Sequence, residues 1–137
     1  MPTIAAVTLV VREYDEAIAF YTGRLGFRVV EDTALGGGKR WLVVAPPGDG
    51  PGLLLARAAT PDQAARVGDQ TSGRVAFFLR TDDFGRDHRD FLARGVRFAE
   101  EPRHEAYGTV AVFLNLYGNR WDLIGPATTP GDWHRST

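Results

Sequence analysis

The sequence predicts an α+β domain made of two β-α-β-β-β units, and three observations lead there. Short β-branched and apolar runs alternate with two segments whose apolar residues fall at helical spacing. The order of these elements occurs twice. Matched residues also recur at a near-constant distance: residues 7–12 (VTLVVR) match 75–80 (VAFFLR) at an offset of 68, and Gly26, Arg28 and Glu31 match Gly95, Arg97 and Glu100 at 69. The offset of 68 returns for residues 41–45 against 109–113 and for Gly50 against Gly118.

In chain order, residues 4–11 read as a strand buried on both faces, since eight short, mostly β-branched or apolar residues run without a polar alternation. A helix follows, with Ile18, Tyr21, Thr22 and Leu25 at helical spacing, Asp15 as its cap and Gly26 at its end. Residues 27–31 alternate as a strand, Gly36-Gly37-Gly38 form a turn, 41–45 form a strand and 53–55 a further short one. Thr60 and Pro61 open a short helical linker, as cap and first-turn residue. The second unit repeats the order. A strand over 74–79 precedes a helix begun by Asp82 or Asp83 and closed by Gly95, and strands follow over 96–99, 109–113 and 121–124. Residues 1–125 therefore form one domain, with the first unit over about 3–57, a linker over 58–72 and the second unit over 73–125. The aperiodic stretch 126–137 reads as a C-terminal extension.

Composition narrows the function classes. The 137 residues suit one domain and bury enough surface to fold without staples. The absence of cysteine excludes disulfides, thiolate metal sites and a cysteine nucleophile, and suits a cytoplasmic protein. A net charge of −1 with no basic block gives no case for nucleic acid or an anionic membrane. The apolar run 4–11 is too short to span a bilayer.

Residues 7–21 (VTLVVREYDEAIAFY), followed by Leu25-Gly26-Phe27, resemble the first strand and helix of the vicinal oxygen chelate superfamily, the group of glyoxalases, bleomycin-resistance proteins and extradiol dioxygenases. Residues 117–123 (YGNRWDL) resemble its terminal segment. The resemblance covers about residues 3–125. It implies a glyoxalase-like fold in which the two units form a curved mixed sheet, or open barrel, around a pocket. In the metalloenzyme members His and Glu hold a divalent ion at repeat-related positions. Here those positions resemble Ala6, Leu54, Arg74 and Asp122, of which only Asp122 offers a donor, so neither a metal nor another cofactor is expected. The histidines do not supply a replacement set: His88 reads as a helix residue, His104 as a polar rim residue and His134 as part of the tail.

Strand alternation from these positions points Thr8 and Val10 into the pocket with Ala6, Ala76 and Phe78 with Arg74, and Arg120 and Ile124 with Asp122. Trp121 reads as outer core. Trp41 fits either a ligand-stacking aromatic or a core tryptophan, and Tyr107 is a further stacking candidate. Charges at Arg74 and Asp122 in an apolar cavity are expected to pair, either as a plain internal ion pair or as a ligand anchor. Loss of one partner from such a pair costs about 3–5 kcal/mol. The expected ligand-binding set is thus Arg74, Asp122, Trp41, Phe78, Tyr107, Thr8 and Arg120.

Two functions fit. One is a homodimeric protein that binds a small organic molecule in a metal-free pocket, like the drug-sequestering members of the superfamily. The other is an enzyme of lyase, isomerase or dioxygenase type, metal-independent with Asp122 as acid or base, or using a metal at an unrecognised site. An Arg beside Asp122 would lower the carboxyl's pKa and weaken it as a base, which favours the binder.

Overall fold

A computed structural model describes residues 1–127 and divides the chain into two compact units, Met1–Gln70 and Thr71–Thr137. The first unit runs β1 (Ala6–Val11), α1 (Tyr14–Gly23), β2 (Arg28–Gly36), β3 (Lys39–Ala45), β4 (Gly52–Arg57) and the short α2 (Pro61–Ala64). Its sheet has the order β1-β4-β3-β2, with β1 parallel to β4 and the other pairs antiparallel. Register sorts the side chains: Leu9 lies opposite Leu55, and Val44 opposite Leu53. These residues, with Val11 and Leu42, are buried together with Ala17, Phe20 and Tyr21 of α1. The other face carries Thr8 opposite Leu54, and Leu54 opposite Val43. The Leu25-Gly26-Phe27 segment closes this core. Leu25 and Phe27 are buried, the Phe27 ring lies 5.4 Å from that of Tyr21, and Gly26 turns the chain at φ +73°.

Asp15 does not cap α1. The cap position is Glu13, without a side-chain hydrogen bond, and the Asp15 carboxylate instead accepts from Arg40 Nη1 at 2.8 Å. β2 runs five residues beyond the expected Glu31. Its nine residues are all exposed at the sheet edge, so it needs no apolar alternation, and pairing with β3 across the hairpin sustains it. Gly37 and Gly38, at φ +64° and +80°, form the two-residue turn; positive φ at both positions is what lets such a turn follow the strand twist. Thr60 caps α2 as expected, its Oγ1 accepting from Gln63 N at 3.2 Å.

The second unit runs β5 (Val75–Arg80), α3 (Phe84–Ala93), β6 (Arg97–Phe98), β7 (Arg103–Glu105), β8 (Gly108–Leu114) and β9 (Arg120–Gly125). Its sheet has the order β5-β9-β8-β6 with β7 also on β8, and its first and last strands are again parallel. The core stacks aromatics: Phe91 lies 5.4 Å from Phe113, Phe113 5.6 Å from Trp121, and Trp121 4.6 Å from Phe77. Trp121 is therefore core, as its alternation requires. Asp83, not Asp82, caps α3, accepting from Arg86 N at 3.0 Å, while Asp82 pairs with the Arg86 side chain. β7 was not foreseen, because three polar residues carry no hydrophobic period; its pairing with β8 creates it.

The α+β class holds, with two mixed sheets of four and five strands. Among the described residues neither sheet closes on itself. No helix among them is long and apolar enough to cross a membrane. The expected extension 126–137 lies almost wholly outside the described residues. Removing the α3 cap with Asp83→Ala is expected to cost about 1 kcal/mol in urea unfolding. Glu13→Ala, which removes no cap bond, should cost less.

Candidate functional site

In the first unit, the sheet and the β2–β3 hairpin border a groove of about 700 Å³. Thr8 of β1 and Leu54 and Ala56 of β4 form part of its lining. The β2–β3 hairpin adds Leu35, Gly36, Gly37, Lys39 and Trp41. Trp41 is 41% exposed, so it is a groove wall and not a core tryptophan. Leu35, 52% exposed, adds a second apolar surface. Thr8 and Trp41 thus share this groove.

Residues that sequence alternation missed also line it, namely Tyr14, Arg40 and Arg57. Arg40 is held by Asp15 at 2.8 Å and Asp32 at 2.7 Å, which keep its guanidinium firmly protonated, and Arg40 in turn lowers the Asp32 carboxyl's pKa. Arg57 Nη1 lies 3.7 Å from Glu13 Oε2, and its Nη2 donates to Gly38 O at 3.3 Å. Both guanidinium carbons lie 5.1 Å from the centroid of the Tyr14 ring, and Tyr14 Oη accepts from Arg40 N at 3.1 Å. The period of two through Lys39 and Trp41 was a usable signal for Lys39; nothing in the sequence marked Tyr14 or Arg57.

In the second unit the expected Arg74–Asp122 pair does not form. Arg74 is exposed and lies before β5, tied by its backbone to Thr71. The physical reason is a bulge in β5. Val75 lies opposite Arg120 and Phe77 opposite Trp121, so one extra residue enters the strand. The offset of 68 carries the Thr8–Leu54 pairing of the first unit onto Ala76 and Asp122, but the register of the second unit, one residue off before the bulge and two after it, puts Phe78 opposite Asp122 instead. The bulge also reverses facing before it, separating Arg74 from the Asp122 face. Phe78, 65% exposed, remains on that face, and Arg120 and Ile124 share it by alternation.

Asp122 is 5% exposed, and its Oδ1 has no hydrogen-bond partner among the described residues. Burial pushes its carboxyl above the ordinary value, partly offset by the Arg103 charge and reinforced by Glu100. The expected lowering by an arginine is thereby corrected: desolvation outweighs the cation that is present. Arg103, which the sequence did not mark, is held by Glu100 at 3.0 Å and Glu105 at 2.7 Å. Its Nη1 lies 3.4 Å from the hydroxyl of Tyr107, which is exposed in the turn between β7 and β8. His88 packs on Phe84 and Phe98, and His104 Nδ1 lies 3.1 Å from Thr109 Oγ1. His134 lies outside the described residues.

A family model for the Glyoxalase/Bleomycin resistance protein/Dioxygenase superfamily matches residues 3–123. The chain belongs to this superfamily. An uncharacterized protein of Shewanella frigidimarina is 51% identical over 124 residues, which cover 89% of this chain and 92% of that protein. Among solved structures, UcmS2 is similar with a TM-score of 0.77 at 30% identity, over 90% of this chain and 98% of that one. TnmS3, an antibiotic binding protein from Streptomyces sp. CB03234, has a TM-score of 0.75 at 28% identity, over 93% and 98%.

Superfamily membership does not by itself select a chemistry. The four positions that resemble the superfamily's metal ligands carry Ala6 and Leu54 in one unit and Arg74 and Asp122 in the other. Two alkyl groups, a guanidinium and one carboxylate do not fit a divalent ion. Among the described residues, no three His, Asp or Glu side chains come together as a metal site.

The raised Asp122 value carries a stability consequence. A carboxyl favoured in its protonated form contributes stability that is fully present below its ordinary value of 3.8 and is lost as pH rises through the folded-state value. Asp122→Asn, which cannot ionise, is expected to be more stable than the parent at neutral pH, with the gap closing as pH falls through the carboxylate range. Urea midpoints across that range check this; a variant markedly less stable at neutral pH would show that the ionised carboxylate has a partner.

Proposed function

We propose that the protein binds a small organic molecule in the groove of its first unit, without a metal or other cofactor. The observation that carries this reading is Trp41. A half-exposed indole beside exposed Leu35, above a floor of Thr8, Leu54 and Ala56, is an unsatisfied aromatic surface in a concavity of about 700 Å³, a volume suited to a drug-sized ligand. Covering it with a ligand's ring would be favourable. The antibiotic binding description of TnmS3 supports the same reading. Phe78, exposed opposite Asp122 in the second unit, is a further proposed contact surface, with Arg120 on the same face by alternation and the exposed Tyr107 as a separate candidate.

One observation favours the enzymatic alternative. A buried carboxyl with an unpartnered oxygen and a raised pKa is better suited to proton transfer than the arginine-paired carboxylate expected from the sequence. Under that reading Asp122 is the general acid or base. Turnover of a bound compound, abolished by Asp122→Asn while binding persists, would separate this from simple binding.

A homodimer is part of the proposal, because β2 leaves nine exposed residues, including Val29, Val30 and Leu35, at the edge of the first sheet. Sedimentation equilibrium should give twice the 15.0 kDa chain mass; a single-chain mass at micromolar concentration would overturn the dimer.

The main test is a thermal-shift screen of aromatic natural products and antibiotics, followed by titration calorimetry on the best ligand. Trp41→Ala is expected to weaken binding roughly tenfold or more while leaving the melting temperature almost unchanged, since the indole is a surface wall. Unchanged affinity in Trp41→Ala would rule out the groove as the binding site.

A further inference from the structure

The charge of the groove has a direction that its apolar wall does not explain. Three cationic side chains, Lys39, Arg40 and Arg57, line it, and no carboxylate does. Arg40 is neutralised from outside the lining by Asp15 and Asp32, and Arg57 is partly balanced by Glu13 at 3.7 Å. Lys39 has no carboxylate within ion-pair reach among the described residues. It stands two residues before Trp41 on β3, so alternation starts both side chains from the same face, their backbone positions about 7 Å apart along the strand.

We infer that the groove selects aromatic organic anions: a flat ring system lies on Trp41, and a carboxylate, sulfonate or phenolate on it meets Lys39, with Arg57 as a second cation within the same groove. This rests on the binding reading above and adds the ligand's charge class to it. Arg40 is excluded as the anchor because two carboxylates already occupy its guanidinium. An ammonium-bearing ligand would meet the Lys39 charge with no carboxylate in the lining to offset it.

Three probes sharing one ring system test this on the full chain by titration calorimetry: 2-naphthoate, its neutral amide 2-naphthamide, and the cation 2-naphthylmethylammonium. Naphthoate is expected to bind most tightly and the ammonium least. Lys39→Ala should weaken naphthoate roughly three- to fivefold, the scale of one solvent-exposed charge pair, and leave naphthamide unchanged. Lys39→Arg should keep the naphthoate preference, and raising salt should diminish it. Circular dichroism confirms that each variant is folded. If the three probes bind equally, or Lys39→Ala leaves the naphthoate-to-naphthamide ratio unchanged, the charge inference is overturned while Trp41-dependent binding still stands. If no probe binds, or Trp41→Ala affects none of them, the groove reading itself fails and this inference fails with it.

Discussion

The parallel pairing of first and last strands within each unit is the constraint on which the candidate site depends. In the first unit β1 lies beside β4, and the two-residue period of both strands then sorts most of their side chains. Leu9, Val11, Leu53 and Leu55 join the core with α1, while Thr8, Leu54 and Ala56 are delivered to the opposite face. A groove floor of small and aliphatic residues follows from how the core is packed. A shift of one residue would exchange the two sets, burying Thr8 and exposing Leu9, so the core itself fixes the register of the site.

The second unit shows how a single backbone irregularity redirects this logic. A one-residue difference in register and one extra residue in β5 together put Phe78, and not Ala76, opposite Asp122, and Arg74 lies outside the sheet. The carboxylate then has no arginine across from it. Its nearest charges come from β7 and the segment before it, where Arg103 is already engaged by Glu100 and Glu105. A buried carboxyl with an unused oxygen is a costly element to retain in a fold. That cost is the physical basis of the role proposed for Asp122 as a ligand contact or proton-transfer group.

The polar parts of the first unit are organised around Tyr14. Its ring carries two guanidinium groups and its hydroxyl accepts from the backbone of β3, so the start of α1 is tied to the hairpin that bears Trp41. Asp15, which the sequence suggested as a helix cap, serves this tie through Arg40 instead. The hairpin wall of the groove therefore has a fixed side, bonded to α1, and an exposed side that presents Trp41, Leu35 and Lys39.

Local sequence was enough for the elements with strong periodicity or specific punctuation. The strands expected over 74–79 and 109–113, found at Val75–Arg80 and Gly108–Leu114, the Thr60 cap, the α3 start at Asp82 or Asp83, the glycine turn and the core role of Trp121 were legible, because alternation, capping and turn chemistry act over a few residues. The internal repeat and the residues resembling the superfamily made the fold class legible too, and Trp41 and Thr8, both picked out by the sequence, line one groove. Tertiary structure alone decided the rest. The bulge in β5 leaves no mark in composition, so Arg74 could not be separated from Asp122 by counting residues. β7, the clustering of Arg40 and Arg57 on Tyr14, and the approach of Arg103 to Asp122 depend on strands that meet only after folding. Sequence period fixes which face a residue occupies along an unbroken strand, whereas the partner across from it depends on register, and register is set by the packing of the whole sheet.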